Sequence, residues 1–180
     1  PAEATNAVYE ARWAEALIPW RERGLRRVAF GDLFLADVRA YREALMARLG
    51  LEPVFPIWGR DTAEAARTFV RDGYRAVVTC VDGEVLDRSW AGRAFDAALL
   101  AALPPGVDPC GERGEFHTFV TAGPRLGPGV RVERGAVVTR GRWHFADLRP
   151  AGTAAEPPAS VAPVESGELP ETAVRVEVRT

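Results

Sequence analysis

One stretch of the chain carries most of the information about its fold. Residues 27–58 read RVAFGDLFLADVRAYREALMARLGLEPVFPIW. Arg27–Phe30 is a short apolar strand that stops at Gly31-Asp32, and from Leu35 to Leu49 apolar residues recur at helical spacing. Val54–Trp58 is extended again between prolines. A strand, a helix and a second strand in this order predict an α/β layer fold.

The same alternation continues on both sides of this stretch. Thr5 is placed to cap a first helix, which Pro19 should kink or end. Asp61 and Glu64 form a capping-box pattern for a further helix. Residues 74–81, YRAVVTCV, are nearly all apolar, as in a strand buried on both faces of a parallel sheet.

The second half of the chain has a different character. A helix is predicted over residues 93–103, and residues 115–121 alternate between apolar and polar side chains. Short strands are predicted at 130–132, 136–139 and 142–148, the last two joined by a tight turn at Arg140-Gly141. The sequence therefore predicts a small antiparallel sheet attached to the α/β part, followed from residue 151 by a tail rich in Pro and Ala with a possible strand over 174–178.

Composition narrows the classes of function. The net charge is −2 and all 23 basic residues are arginine, so lysine-based chemistry is excluded and a large cationic surface for nucleic acid is not expected. No apolar run reaches the roughly 20 residues of a membrane-spanning helix. Two cysteines without paired spacing argue against a disulfide scaffold and a zinc site, so we expect a cytoplasmic protein with no bound metal and no membrane partner.

Three places have side chains suited to chemistry. Gly31-Asp32 follows a strand, where open sheets bind ligands, although spacing alone favours an ordinary turn or a cap of the next helix. Trp58 could stack on a ring or fill the core. The densest place is Cys110–Thr118, where Gly111 and Gly114 allow close approach of a ligand and Glu112, Glu115 and His117 are acid–base groups.

Three segments resemble one known family. GDLFLADVR at 31–39 resembles the GDIFLED stretch of the diphthine–ammonia ligase-like proteins, and LEPVFPIWG at 51–59 is similar to their LEPLFPLWG. CGERGEFHT at 110–118 is similar to their CGENGEFHTF signature. The resemblance runs from about residue 1 to residue 150.

This resemblance implies a fold and an activity. The fold would be a parallel Rossmann-like sheet of the adenine nucleotide alpha hydrolase type, followed by a small α+β domain. The activity would be that of the PP-loop ATP pyrophosphatase superfamily, in which ATP and Mg serve to adenylate a carboxylate and ammonia then forms the amide. Relatives amidate diphthine on elongation factor 2, so the carboxylate acceptor is possibly on a protein, and a homodimer is possible.

The resemblance also implies domain bounds and roles for individual residues. It implies the later half of a nucleotide-binding domain over 1–82 and a substrate-binding domain over 83–150. Glu112, Glu115 and His117 are the predicted catalytic residues, facing a common cleft with Asp32. The predicted substrate-binding residues are Gly31, Asp32, Trp58, Gly111, Gly114 and Thr118.

One family feature is missing from these residues. The Ser-Gly-Gly-Lys-Asp-Ser phosphate loop does not occur among them, so no nucleotide-binding residue can be assigned. We expect that the chain is a fragment of the ligase and inactive alone. The alternative is a non-catalytic relative that binds a peptide or protein through the sheet of its second half.

Overall fold

The computed structural model of the protein describes residues 5–126 and 129–151. They form two compact units, one up to Ala65 and the other from Ala66 onward. The predicted tail, apart from Ala151, and its strand over 174–178 lie outside the described residues. The predicted domain boundary at residue 82 stays a prediction.

The first unit contains two helices and a two-stranded parallel sheet. Helix α1 spans Asn6–Glu22, strand β1 Arg27–Ala29, helix α2 Ala36–Arg48 and strand β2 Glu52–Val54. Strands β1 and β2 pair in parallel, as the α/β reading of this stretch requires. The unit is held together by a small apolar core made of Phe30, Leu45, Met46 and Leu51.

Two local predictions in this unit need correction. Helix α1 is capped by the Thr5 hydroxyl as predicted, but it continues through Pro19 to Glu22. The carbonyl of Glu15, which proline cannot bond, belongs to an exposed residue, so the lost hydrogen bond is tolerated. The second strand begins at Glu52, two residues before the predicted start at 54, and ends at Val54, because the chain turns from Pro56 onward.

The second unit is a five-stranded antiparallel sheet with helices. Helix α3, Thr62–Arg71, crosses the division between the units. The elements that follow it are β3 Arg75–Asp82, a 3-10 helix at Arg88–Trp90, β4 Ala94–Phe95, α4 Ala97–Ala102, β5 Phe116–Ala122, β6 Val132–Arg140 and β7 Trp143–Pro150. Together with the parallel pair of the first unit, they confirm the mixed α/β class with a separate antiparallel sheet.

Strand β3 corrects the reading of the apolar run at 74–81. It is a buried strand, but it pairs antiparallel with β4, β5 and β7 instead of lying in a parallel sheet. A central strand with neighbours on both edges has the same apolar composition in either kind of sheet. Periodicity alone therefore could not separate the two.

The helix predicted over 93–103 is also shorter than expected. Residues 94–95 form β4, whose Ala94 pairs with Val77 of β3. Helix α4 begins only after Asp96, whose carboxylate accepts the amide N–H of Leu99 at 2.8 Å. Pairing with the sheet thus overrides the helical spacing of the first residues.

The sheet of the second unit has a core face and an outer face. Ala76, Val78, Val81, Phe116 and Ala146 belong to the apolar core. On the outer face, the strand register aligns His117, Cys80, Phe145 and Val138 in one row across β5, β3, β7 and β6. Among the described residues, no helix combines the length and the apolar character that crossing a membrane requires.

Candidate functional site

The loop before β5 is organised by one buried carboxylate. We call residues 108–115 the signature loop. Glu115 is 5% exposed. Its Oε1 accepts the amide N–H of Asp108 at 2.9 Å, and its Oε2 accepts that of Arg113 at 3.0 Å. Both oxygens of Glu115 therefore fasten the loop, while its predicted catalytic role stays a prediction.

A second buried carboxylate completes this bracing. Asp108 is 6% exposed. Its Oδ1 accepts the amides of Cys110 at 2.8 Å and, more weakly, Glu112 at 3.4 Å. The amide of Gly111 bonds to the carbonyl of Asp108, and the amide of Gly114 bonds to the carbonyl of Gly111. All five amides from 110 to 114 are thus engaged inside the loop, so a ligand meets its side chains and carbonyls.

The two glycines of the loop serve different purposes. Both have positive φ angles, +69° at Gly111 and +87° at Gly114, a region that favours glycine. A Cβ atom at Gly111 would lie 2.6 Å from the carbonyl oxygen of Phe116, whereas one at Gly114 would meet no atom within 4 Å. Gly111 is required by packing, and Gly114 leaves open space where a ligand can approach.

The remaining predicted residues lie around this loop. Glu112 and His117 are half-buried. His117 pairs with Cys80 on the outer face, and its carbonyl accepts the Thr79 hydroxyl at 3.2 Å. Thr118 instead pairs with Val78, whose side chain belongs to the core, so Thr118 and His117 lie on opposite faces of β5.

Sequence reasoning missed two residues that support the loop. The amide of Asp82, at the end of β3, donates to the carbonyl of Glu115 at 2.9 Å. The buried carboxylate of Asp82 forms an ion pair with Arg142 at 2.9 Å and accepts the amide of Glu84. An aspartate at the end of an apolar strand was the available signal, but its partner Arg142 is 60 residues away in the sequence (142 minus 82).

Cys80 lies two residues before Asp82, and its thiol is unreactive. Burial, with a smaller contribution from the charge of Asp82, raises the pKa of the Cys80 thiol to about 11. A thiol with such a pKa stays protonated at neutral pH and is a poor nucleophile.

In the first unit, the structure brings together the loops that carry Asp32 and Trp58. Both loops follow the carboxyl ends of the parallel strands. The amide of Gly59 donates to the carbonyl of Leu33 at 2.7 Å, and the amide of Phe30 donates to that of Val54. The edge of the sheet predicted from the sequence is therefore formed by these two loops, with Gly31 exposed on it.

Asp32 faces an arginine that the sequence analysis did not single out. Its Oδ2 lies 3.7 Å from Nε of Arg42, and the two side chains are 12% and 10% exposed. Arg42 also donates to the Tyr9 hydroxyl at 2.8 Å and lies 5.0 Å from the centre of the Phe30 ring. The two facing atoms of this pair have no hydrogen bond, so their contact is purely an ion pair within the buried interior.

Trp58 is half-buried and packs against a guanidinium group. The Arg39 guanidinium lies 4.7 Å from the Trp58 ring and 4.8 Å from the Phe55 ring. Phe55 also stacks on Phe30 of the core. Both readings of Trp58, a wall for a ligand and a part of the packing, therefore have a physical basis.

The described residues do not provide a complete site for Mg-ATP. Within 5–126 and 129–151, no group of three or more His, Cys, Asp or Glu side chains is placed to hold a metal ion. The signature loop has no free amide between 110 and 114 for a phosphate. These residues alone do not fit the triphosphate, whose binding stays a prediction.

Comparison with known proteins now bears on these residues. Residues 61–149 match the family model of the diphthamide synthase C-terminal domain. Through this segment, the chain is similar to that family. The matched segment contains α3, the whole signature loop and almost all of the antiparallel sheet, and it agrees with the resemblance to the diphthine–ammonia ligase-like proteins. No curated protein matches the chain.

Proposed function

We propose that this chain forms part of an ATP-dependent ligase that converts a carboxylate into an amide with ammonia. The observation that carries the proposal is the signature loop, a braced segment within the diphthamide synthase C-terminal domain that presents acid–base side chains. The acceptor would carry a carboxylate, possibly on a protein. ATP, when bound, supplies the activation of that carboxylate.

In this proposal residues of the loop position the reacting groups, and His117, which follows the loop, transfers a proton. Glu115 and Asp108 hold the backbone fixed, which keeps the reacting groups in position without a conformational cost during the reaction. As ammonia bonds to the acceptor carbon, the bond from this carbon to the leaving group of the activated carboxylate breaks, and the nitrogen must lose a proton. His117 takes this proton, since an imidazole is a suitable base near neutral pH. Gly114 provides the open space through which the acceptor approaches.

A matched pair of histidine variants tests the proposal. The full reading frame that encodes this chain should release AMP from ATP only when ammonium and an acceptor are present. His117→Asn should lower that rate by about 100-fold or more, the usual contribution of a general base. His144→Asn is the control, because His144 bonds to Thr139 and belongs to β7, outside the signature loop. Equal rates in the two variants would contradict the proposal.

A protein-binding module is the second candidate, favoured by the outer face of the sheet. Phe119, Phe145 and Val138 are 43%, 37% and 46% exposed on this face. Exposed apolar side chains grouped on one surface are typical of interaction sites. If binding is the function, Phe119→Ser should abolish binding to purified elongation factor 2. Trp20→Ser, at a side chain that is 55% exposed in the first unit, should not. If the chain is instead part of a ligase, the Phe119→Ser variant should still release AMP even where it no longer binds the isolated factor.

A further inference from the structure

A groove in the second unit lies apart from the signature loop. It is open to solvent and has a volume of about 530 Å³, within the range of small-molecule sites. Its lining comes from the 3-10 helix and from strand β6, and consists of Asp87, Arg88, Ser89, Arg134, Gly135 and Val137. Strand β6 changes register between Arg134 and Val137, which bends the strand at the groove.

Arg88 is held in the groove by the backbone of β6. Its Nη2 donates to the carbonyl of Val137. The helix that carries it is fixed at its start, where the Asp87 carboxylate accepts the amide of Ser89 at 2.6 Å. The guanidinium of Arg88 is therefore positioned before any ligand binds.

Arg134 is positioned by close packing against a glycine. A Cβ atom at Gly92 would lie 2.4 Å from Nε of Arg134, so the Arg134 side chain lies directly against the backbone of this glycine. Gly92 also has a φ of +84°, a conformation that other residues rarely adopt. The fold thus places a second guanidinium in the same groove as the first.

The one acid of the groove is directed elsewhere. Hydrogen bonds from the Ser89 hydroxyl and amide lower the pKa of Asp87, which keeps this exposed carboxylate ionised and oriented toward Ser89. With two arginines and one aspartate, the lining carries a net charge of +1 (2 minus 1). Guanidinium groups match the geometry of carboxylate and phosphate oxygens.

We propose that this groove binds an oxyanion, a carboxylate or phosphate group of a small ligand, between Arg88 and Arg134. The site is additional to the proposed ligase site and does not depend on it, since its lining shares no residue with the signature loop. The two guanidinium groups supply the charge-assisted hydrogen bonds, and the bend of β6 supplies the space.

Titration of the chain at low ionic strength with inorganic phosphate, and separately with succinate, tests this site by amide NMR. Either anion should produce saturable shifts centred on residues 87–89 and 134–137, and the anion that binds more tightly identifies the ligand group. Arg88→Gln and Arg134→Gln should each weaken binding by about tenfold, the loss of one charge-assisted hydrogen bond. Arg134→Lys should weaken it less, because lysine keeps the charge without the fork.

The control is Arg125→Gln, an exposed arginine outside the groove. It should leave the affinity unchanged. The proposal is overturned if neither anion saturates, if the shifts spread over arginines outside the groove, or if all three glutamine variants bind equally. Urea midpoints of the variants keep a folding defect from being taken for a binding defect.

Discussion

At the scale of single residues, the two glycines of the signature loop differ in how closely they are packed. Both need a positive φ, but only Gly111 has a backbone oxygen where a Cβ atom would lie. Gly111→Ala should therefore lower the free energy of unfolding by about 3 kcal/mol, since conformational strain and overlap act together, against about 1 kcal/mol for Gly114→Ala. Urea unfolding of the two variants measures the difference, and equal losses would refute the packing role of Gly111.

The buried thiol of Cys80 gives a second prediction at this scale. Its pKa is about 11 in the folded protein against a usual value of 9.0, so between these values the unfolded chain binds fewer protons than the folded one. Stability is then fully present below pH 9 and falls as the pH rises through this window. The urea midpoint should drop more between pH 8 and pH 10 in the wild type than in Cys80→Ala. Parallel curves would show that the thiol does not ionise on unfolding.

Residues close in sequence were the easier ones to predict. The caps at Thr5 and Asp61 and the motif at 110–118 depend on local spacing, which the sequence displays directly. Asp108, Asp82 and Arg42 were missed because their roles come from partners that only the folded chain brings near. The sequence alone does not distinguish a carboxylate that binds loop amides from one that contacts substrate.

At the scale of elements, helix α3 depends on Asp61, the residue just before its start. Asp61 Oδ1 accepts the amide of Glu64 at 2.7 Å, the N-cap predicted from the sequence. Asp61→Ala should cost about 1 kcal/mol of stability, because this amide loses its partner. The control is Asp72→Ala, which removes an exposed ion pair with Arg71 and should change the stability by less than about 0.5 kcal/mol. Thermal unfolding compares them, and similar losses would rule out a special role for the cap.

Elements that depend on the spacing of residues along the chain were predicted well. Elements that depend on pairing between strands were predicted less well. The parallel pair of β1 and β2 follows from the strand–helix–strand order of residues 27–58. The partners of β3 did not follow, because a central strand looks alike in parallel and antiparallel sheets. Strand β6 was expected as separate short strands, since Gly135 interrupts the pattern, yet pairing with β7 continues across that bulge.

At the scale of the whole molecule, the match to a known family lies almost entirely in the second unit. Its antiparallel sheet holds the end of the signature loop, through the bond from Asp82 to the carbonyl of Glu115 and through β5. The Glu115 carboxylate then ties the start of the loop, at Asp108, to this end. The predicted partnership of Asp32 with Glu115 in one cleft stays a prediction, as do ATP, Mg and a homodimer. The match to the diphthamide synthase C-terminal domain is the reason to test these predictions.

The central claim is that two buried carboxylates hold the signature loop rigid, so that it offers side chains to a ligand. Amide hydrogen exchange of residues 108–114 tests this most directly. We predict protection at every amide from 110 to 114 in the wild type. In Glu115→Ala, protection should be lost at Asp108 and Arg113 but kept at Cys110, which Asp108 still holds. Free exchange of these amides in the folded wild-type protein would contradict the account.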